Sequence, residues 1–139
     1  MANETNSRKT ILIVDDDELH LQITKIALKD EFEVFVVKSG KEALESLTSK
    51  KIVPDLILLD ILMPEMDGWI VFDRINDIAA LKFTPILFYS SLEEENAKEK
   101  AYELGAFDFI LKPCERSILL TKINDALKKA ELQKSSYQI

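Results

Sequence analysis

Five short, almost unbroken apolar runs recur along the chain, spaced so that a helix fits between each pair: "KTILIV" from Lys9, "EVFVV" from Glu33, "DLILL" from Asp55, "PILFY" from Pro85 and "FDFIL" from Phe107. Their β-branched and aromatic content, with little polar alternation in most of them, suits strands covered on both faces, as in a parallel sheet. The intervening segments carry apolar residues at helical spacing: Leu19, Ile23, Ile26 and Ala27; Ala43, Leu44 and Leu47; Val71, Phe72, Ile75 and Ile78; Ala97, Ala101 and Leu104; Leu119, Ile123, Ala126 and Leu127. Right-handed crossovers between five parallel strands give an α/β fold with an open, doubly wound sheet. Ligands bind to such sheets beyond the carboxyl ends of the strands.

A chain of 139 residues has room for one domain, expected over residues 8–132. Pro54 and Pro85 open strands, where a missing backbone donor is tolerated. Asp67-Gly68 precedes the third helix, and Gly105 follows the fourth. Residues 1–7 and 133–139 are polar and aperiodic and are expected to be flexible tails. No apolar run approaches the ~20 residues of a membrane span, and the first residues hold no signal-peptide core. A cytoplasmic location without membrane insertion is expected. With 25 acidic against 18 basic residues and a net charge of -7, direct nucleic-acid binding is disfavoured. One Cys and one His cannot build a thiolate–imidazole zinc site, so a metal here must be held by oxygen.

Four of the five runs end on reactive side chains: Asp15-Asp16-Asp17, Asp60, Ser90-Ser91 and Lys112. Singly, each has an ordinary structural explanation: a helix cap, a turn former, a helix start, a solvated lysine. Asp17 is expected to be such a cap. The topology, however, brings all four ends to one edge. Carboxylates of Asp15, Asp16 and Asp60 packed together repel, so either their pKa values rise or a cation compensates. A hard divalent cation with few acidic ligands and room for water fits Mg²⁺ best. The Lys112 ammonium and the Ser90 hydroxyl add what a phosphoryl group needs.

At these residues the sequence strongly resembles the receiver domain of two-component response regulators. The resemblance runs from about Lys9 to about Ala130 and rests on "ILIVDDD", "DLILLDILMPEMDG", "PILFYSS", "GAFDFILKP" and their spacing. It implies a flavodoxin-like strand order, 2-1-3-4-5. It further implies that Asp15 and Asp16 hold Mg²⁺, with Asp60 and the backbone carbonyl of Leu62 contributing. Asp60 would accept phosphate from a histidine kinase or a histidine phosphotransfer protein. Lys112 would contact the phosphoryl group, Ser90 and Phe109 would form the switch, and the Lys112–Pro113 bond would be cis. Ser90 stands where threonine is commoner but keeps the hydroxyl. Phe109 stands where tyrosine is frequent and offers none.

The other conspicuous residues read as structural: His20 on the first helix as a surface or groove histidine, Cys114 as a small apolar filler, Trp69 as packing. Glu93-Glu94-Glu95 reads as an acidic first turn of the fourth helix and Lys128-Lys129 as the basic end of the fifth. The function expected is that of a phosphorylation-activated switch rather than an enzyme with turnover. The rivals are a phosphorylation-independent scaffold, against which the full set of Asp15, Asp16, Asp60, Ser90 and Lys112 argues, and a Mg²⁺ phosphatase, which lacks a second acid–base carboxylate after Asp60. No effector domain is visible, so the chain is either a stand-alone receiver or part of a longer protein; its downstream partner is not named by its residues.

Overall fold

A computed structural model describes residues 8–137. Five strands, β1 (Thr10–Val14), β2 (Glu33–Val37), β3 (Leu56–Leu59), β4 (Ile86–Ser90) and β5 (Asp108–Leu111), alternate with helices α1 (Glu18–Leu28), α2 (Gly40–Thr48), α3 (Gly68–Ile75), α4 (Ala97–Leu104) and α5 (Arg116–Tyr137). The strands form one sheet in the order β2-β1-β3-β4-β5, and every pairing is parallel. This is the flavodoxin-like arrangement expected from the sequence.

Strand alternation divides the apolar runs between two cores. Leu12, Val14, Leu59 and Phe88 face the side covered by α2, α3 and α4, where they meet Ala43, Leu47, Val71, Phe72, Ile75, Ala97 and Ala101. Ile11, Ile13, Leu58 and Leu87 face α1 and α5, meeting Leu21, Leu28, Leu119, Ile123 and Ala126. Each such side chain is worth roughly 1.5–3 kcal/mol when fully buried. The central strands therefore cannot slip by one residue without exchanging their two faces.

Several expectations are revised. The stripe Leu19, Ile23 and Ile26 on α1 is exposed, and Leu21, Thr24 and Leu28 face the sheet instead. That helix is apolar on two sides, and the strand preceding it decides which side packs. β2 is an edge strand with alternating exposure, including a half-exposed Phe35. Ile78 lies beyond α3, opening a short 3₁₀ turn at Ala79–Leu81. Glu93, Glu94 and Glu95 precede α4 rather than form its first turn. Lys128 and Lys129 lie within α5, which continues to Tyr137. There the Tyr137 ring meets Phe83 edge-on at 5.1 Å, and Lys82 Nζ donates to its hydroxyl at 2.8 Å. The tail expected from residue 133 is thus helical as far as 137; residues 1–7 and 138–139 lie outside the described residues.

Helices α1, α2 and α3 start on side-chain caps: Asp17 accepts from His20 N–H, Ser39 from Glu42 N–H and Asp67 from Ile70 N–H. The first is the cap expected of Asp17. Helix α4 differs. Its N-cap, Asn96, has φ 73° and makes no side-chain cap bond, and Gly105 ends it at φ 105°.

Candidate functional site

The carboxyl ends of β1, β3, β4 and β5 bring Asp15, Asp60, Ser90 and Lys112 together, all buried, with exposed Asp16 beside them. Backbone bonds continue the sheet to this edge: Asp15 N–H donates to Val37 O, Asp60 N–H to Val14 O and Lys112 N–H to Ser90 O. Each functional side chain thus leaves a rigid strand end rather than a loose loop.

One oxygen from each of Asp15, Asp16 and Asp60 lies within 4.8 Å of the others. Lys112 Nζ is 2.5 Å from Asp15 Oδ2 and 3.7 Å from Asp60 Oδ2. The second distance is a charge contact, too long for a hydrogen bond. Asp15 Oδ1 accepts from Asp17 N–H at 3.0 Å. Asp60 Oδ1 accepts from Ile61 N–H at 2.7 Å, with Leu62 N–H at 3.4 Å. Among the described residues, no backbone N–H donates to Asp60 Oδ2.

Three carboxylates against one ammonium leave the site with excess negative charge. Burial pushes the Asp60 carboxyl above its ordinary value; Ser90's hydroxyl and the Lys112 ammonium pull it down, and Asp15 pushes it up again. Desolvation wins because a buried carboxylate loses more hydration than one ammonium at 3.7 Å returns. The donor set is all oxygen and acidic, with Asp16 open to solvent, which fits a hard divalent cation that keeps water ligands.

Ser90 is fully buried, and its Oγ accepts from Leu92 N–H at 3.3 Å. Phe109 is buried too, its ring centre 6.4 Å from that of Phe88. Leu62, next but one to Asp60, is half-exposed. The Lys112–Pro113 peptide is cis. The turn from Asp60 to α3 folds back on itself: Met63 N–H and Gly68 N–H both donate to Ile61 O. A Cβ at Gly68 would stand 2.3 Å from Asp60 O, so only glycine lets α3 start this close to Asp60.

Two aromatic residues flank the site: Trp69, read from the sequence as packing, and Tyr89, which was not singled out there. Trp69 bridges elements, its ring 4.9 Å from Phe88 and beneath Lys100 of α4, whose Nζ is 4.3 Å from the ring centre. Tyr89 has its ring centre 5.5 Å from Lys112 Nζ. Strand alternation puts Tyr89 on the face opposite Ser90, and that was the available signal. His20 and Cys114 make no contact with the carboxylates among the described hydrogen bonds; Cys114 Sγ points to Glu115 O.

The model of the response regulator receiver domain matches residues 11–124. A Vibrio cholerae protein named "Probable cyclic di-GMP phosphodiesterase" is 34% identical over 92% of this chain. A protein-glutamate methylesterase/protein-glutamine glutaminase of Archaeoglobus fulgidus is 36% identical over 91% of it. The aligned regions are only 29% and 36% of those proteins' lengths. The crystal structure of a CheY-like response regulator receiver domain protein from Methanospirillum hungatei superposes with a TM-score of 0.82 at 27% identity. That match covers 91% of this chain and 99% of that one.

Proposed function

The chain belongs to the response regulator receiver family, and from that premise we propose that Asp60 accepts a phosphoryl group from a phosphohistidine and thereby switches a partner-binding face. The observation that carries this reading is the environment of Asp60. It sits in a buried acidic cluster with Oδ2 clear of backbone donors and 3.7 Å from an ammonium. In the transfer, Asp60 Oδ2 bonds to phosphorus as the phosphorus–nitrogen bond to the donor's imidazole breaks. The imidazole leaves as the neutral base after taking up a proton.

Asp15, Asp16 and Asp60, with the Leu62 carbonyl, are the residues that would hold Mg²⁺. When bound, the ion neutralises charge on the phosphoryl oxygens and on the carboxylates around them. Lys112 leaves Asp15 far enough to meet the transferred group, and its charge offsets what arrives on Asp60. Ser90 then turns toward the phosphoryl oxygens and Phe109 moves into the space vacated, shifting a pre-existing equilibrium between two conformations of the face formed by α4, β5 and α5. The donor is a histidine kinase or histidine phosphotransfer protein of the cytoplasm. The chain acts as a switch that catalyses its own phosphorylation and dephosphorylation.

Intact-mass spectrometry after incubation with acetyl phosphate and Mg²⁺ tests this directly. Wild type should gain one phosphoryl group and Asp60→Asn none. Equal labelling of both would remove Asp60 from the role, and an unlabelled wild type would favour a phosphorylation-independent scaffold.

A further inference from the structure

The strand "ILFYS" places Leu87 and Tyr89 on the α1–α5 side of the sheet and Phe88 and Ser90 on the other. Tyr89 pairs in register with Ile110 of β5, and Lys112 continues that strand two residues on, bonded through its N–H to Ser90 O. Residues two apart on a strand share a face, so the Lys112 stem rises beside the Tyr89 ring. The ring is half-buried against the α1–α5 core.

The Lys112 ammonium is itself buried and has three N–H donors to place. Asp15 Oδ2 takes one at 2.5 Å, Asp60 Oδ2 stands off at 3.7 Å, and the ammonium lies over the Tyr89 ring, 5.5 Å from its centre. A ring face at that range attracts a cation, and the attraction grows when water is excluded. An aliphatic side chain at position 89 would leave this side of the ammonium against hydrocarbon. Lys112 would then settle wholly onto Asp15, away from Asp60.

We propose that Tyr89 is a positioning residue for phosphoryl transfer, its ring face holding the Lys112 ammonium between Asp15 and Asp60 so that it can move onto the incoming phosphoryl oxygens. The inference rests on Asp60 being the acceptor. It goes further in assigning a role to a residue that is neither the acceptor nor one of the clustered carboxylates. The phenol oxygen is not required for it; the π face is.

Labelling by acetyl phosphate at saturating Mg²⁺, followed by intact mass, separates the alternatives. Tyr89→Phe should keep the saturating rate constant within about twofold. Tyr89→Leu should lower it about tenfold, with little change in the acetyl phosphate concentration giving half-maximal rate. In a Lys112→Met background, Tyr89→Leu should have no further effect, because the group it positions is gone. A second measurement does not depend on phosphorylation. The Lys112 ε-methylene protons should be shifted upfield by the ring current in wild type and Tyr89→Phe, and should return to ordinary positions in Tyr89→Leu. Equal rates for wild type and Tyr89→Leu, a Tyr89→Phe as slow as Tyr89→Leu, or the same loss with Lys112 absent would each overturn the positioning role. A wild type that takes no phosphoryl group would overturn the acceptor assignment instead, while the ring-current shift would still show whether Tyr89 holds Lys112.

Discussion

The ammonium of Lys100 stands over the ring of Trp69, 4.3 Å from its centre, and so joins α4 to α3. Trp69 in turn rests on Phe88, which also has Phe72 at 5.4 Å and Phe109 at 6.4 Å between ring centres. Motion at Phe109 therefore reaches the chain's single tryptophan through one intervening ring. Acetyl phosphate with Mg²⁺ should change Trp69 emission. Ser90→Ala should still be labelled by mass yet lose most of that change. Unaltered emission changes in Ser90→Ala would remove Ser90 from the relay.

The Asp60 carboxyl, raised by burial, makes stability depend on pH in a predictable direction. Between the ordinary carboxylate range and its raised value, the folded protein holds a proton that the unfolded chain has released. Stability without divalent cation therefore falls as pH rises through that window. Asp60→Asn should flatten this slope and raise the thermal midpoint at pH 7 by about 4 °C, the effect of about 1 kcal/mol on a domain of this size. Added Mg²⁺ should stabilise wild type more than the variant. Calorimetry at several pH values checks both; a variant less stable than wild type at neutral pH would contradict them.

Gly68→Ala would set a methyl group 2.3 Å from Asp60 O and 2.6 Å from Ile61 Cα. Both are backbone atoms and cannot rotate aside, so the expected cost is about 2 kcal/mol or more. Urea denaturation gives this value. The same displacement should weaken Mg²⁺ binding, because the carbonyl pushed aside belongs to Asp60 of the carboxylate cluster.

Leu62 is half-exposed beside Asp60, and Leu92 packs partly against the α2–α4 core just past Ser90. Neither can orient a water molecule by hydrogen bonding. Slow loss of the phosphoryl group is expected, and a Leu62→Asn, Leu92→Glu double variant should lose it several times faster at matched Mg²⁺. Decay followed by intact mass decides, and equal lifetimes would show that these leucines do not slow hydrolysis.

The strand runs and the residues at their ends were legible because each is a local signal: continuous apolar stretches, then Asp15, Asp60, Ser90 and Lys112 at abrupt stops; the strand order came from the resemblance to receiver domains. What depends on distant partners was not. The outward turn of Leu19, Ile23 and Ile26 is decided by which face of a doubly apolar helix meets the sheet. The last turn of α5 holds on Phe83 and Lys82, more than fifty residues upstream of Tyr137, so polar aperiodic sequence there gave no sign of helix. The Tyr89–Lys112 and Trp69–Lys100 contacts join separate elements and have no signature at any fixed spacing.

Helix α4 is the rod between two joints. Asn96 and Gly105 both turn through left-handed backbone, and a Cβ at Gly105 would meet nothing within 4 Å. By contrast α1, α2 and α3 are riveted at their starts by Asp17, Ser39 and Asp67. Small residues, Ala97 and Ala101, seat the rod on the sheet, so it can tilt or slide without tearing large side chains from the core. Its eight residues are held to the sheet by Ala97 and Ala101 and by the Tyr102 hydroxyl, which donates to Asp108 of β5 at 2.8 Å. If Asp60 is the acceptor proposed above, a partner that grips α4 would feel its charge state as a change in how far that rod yields.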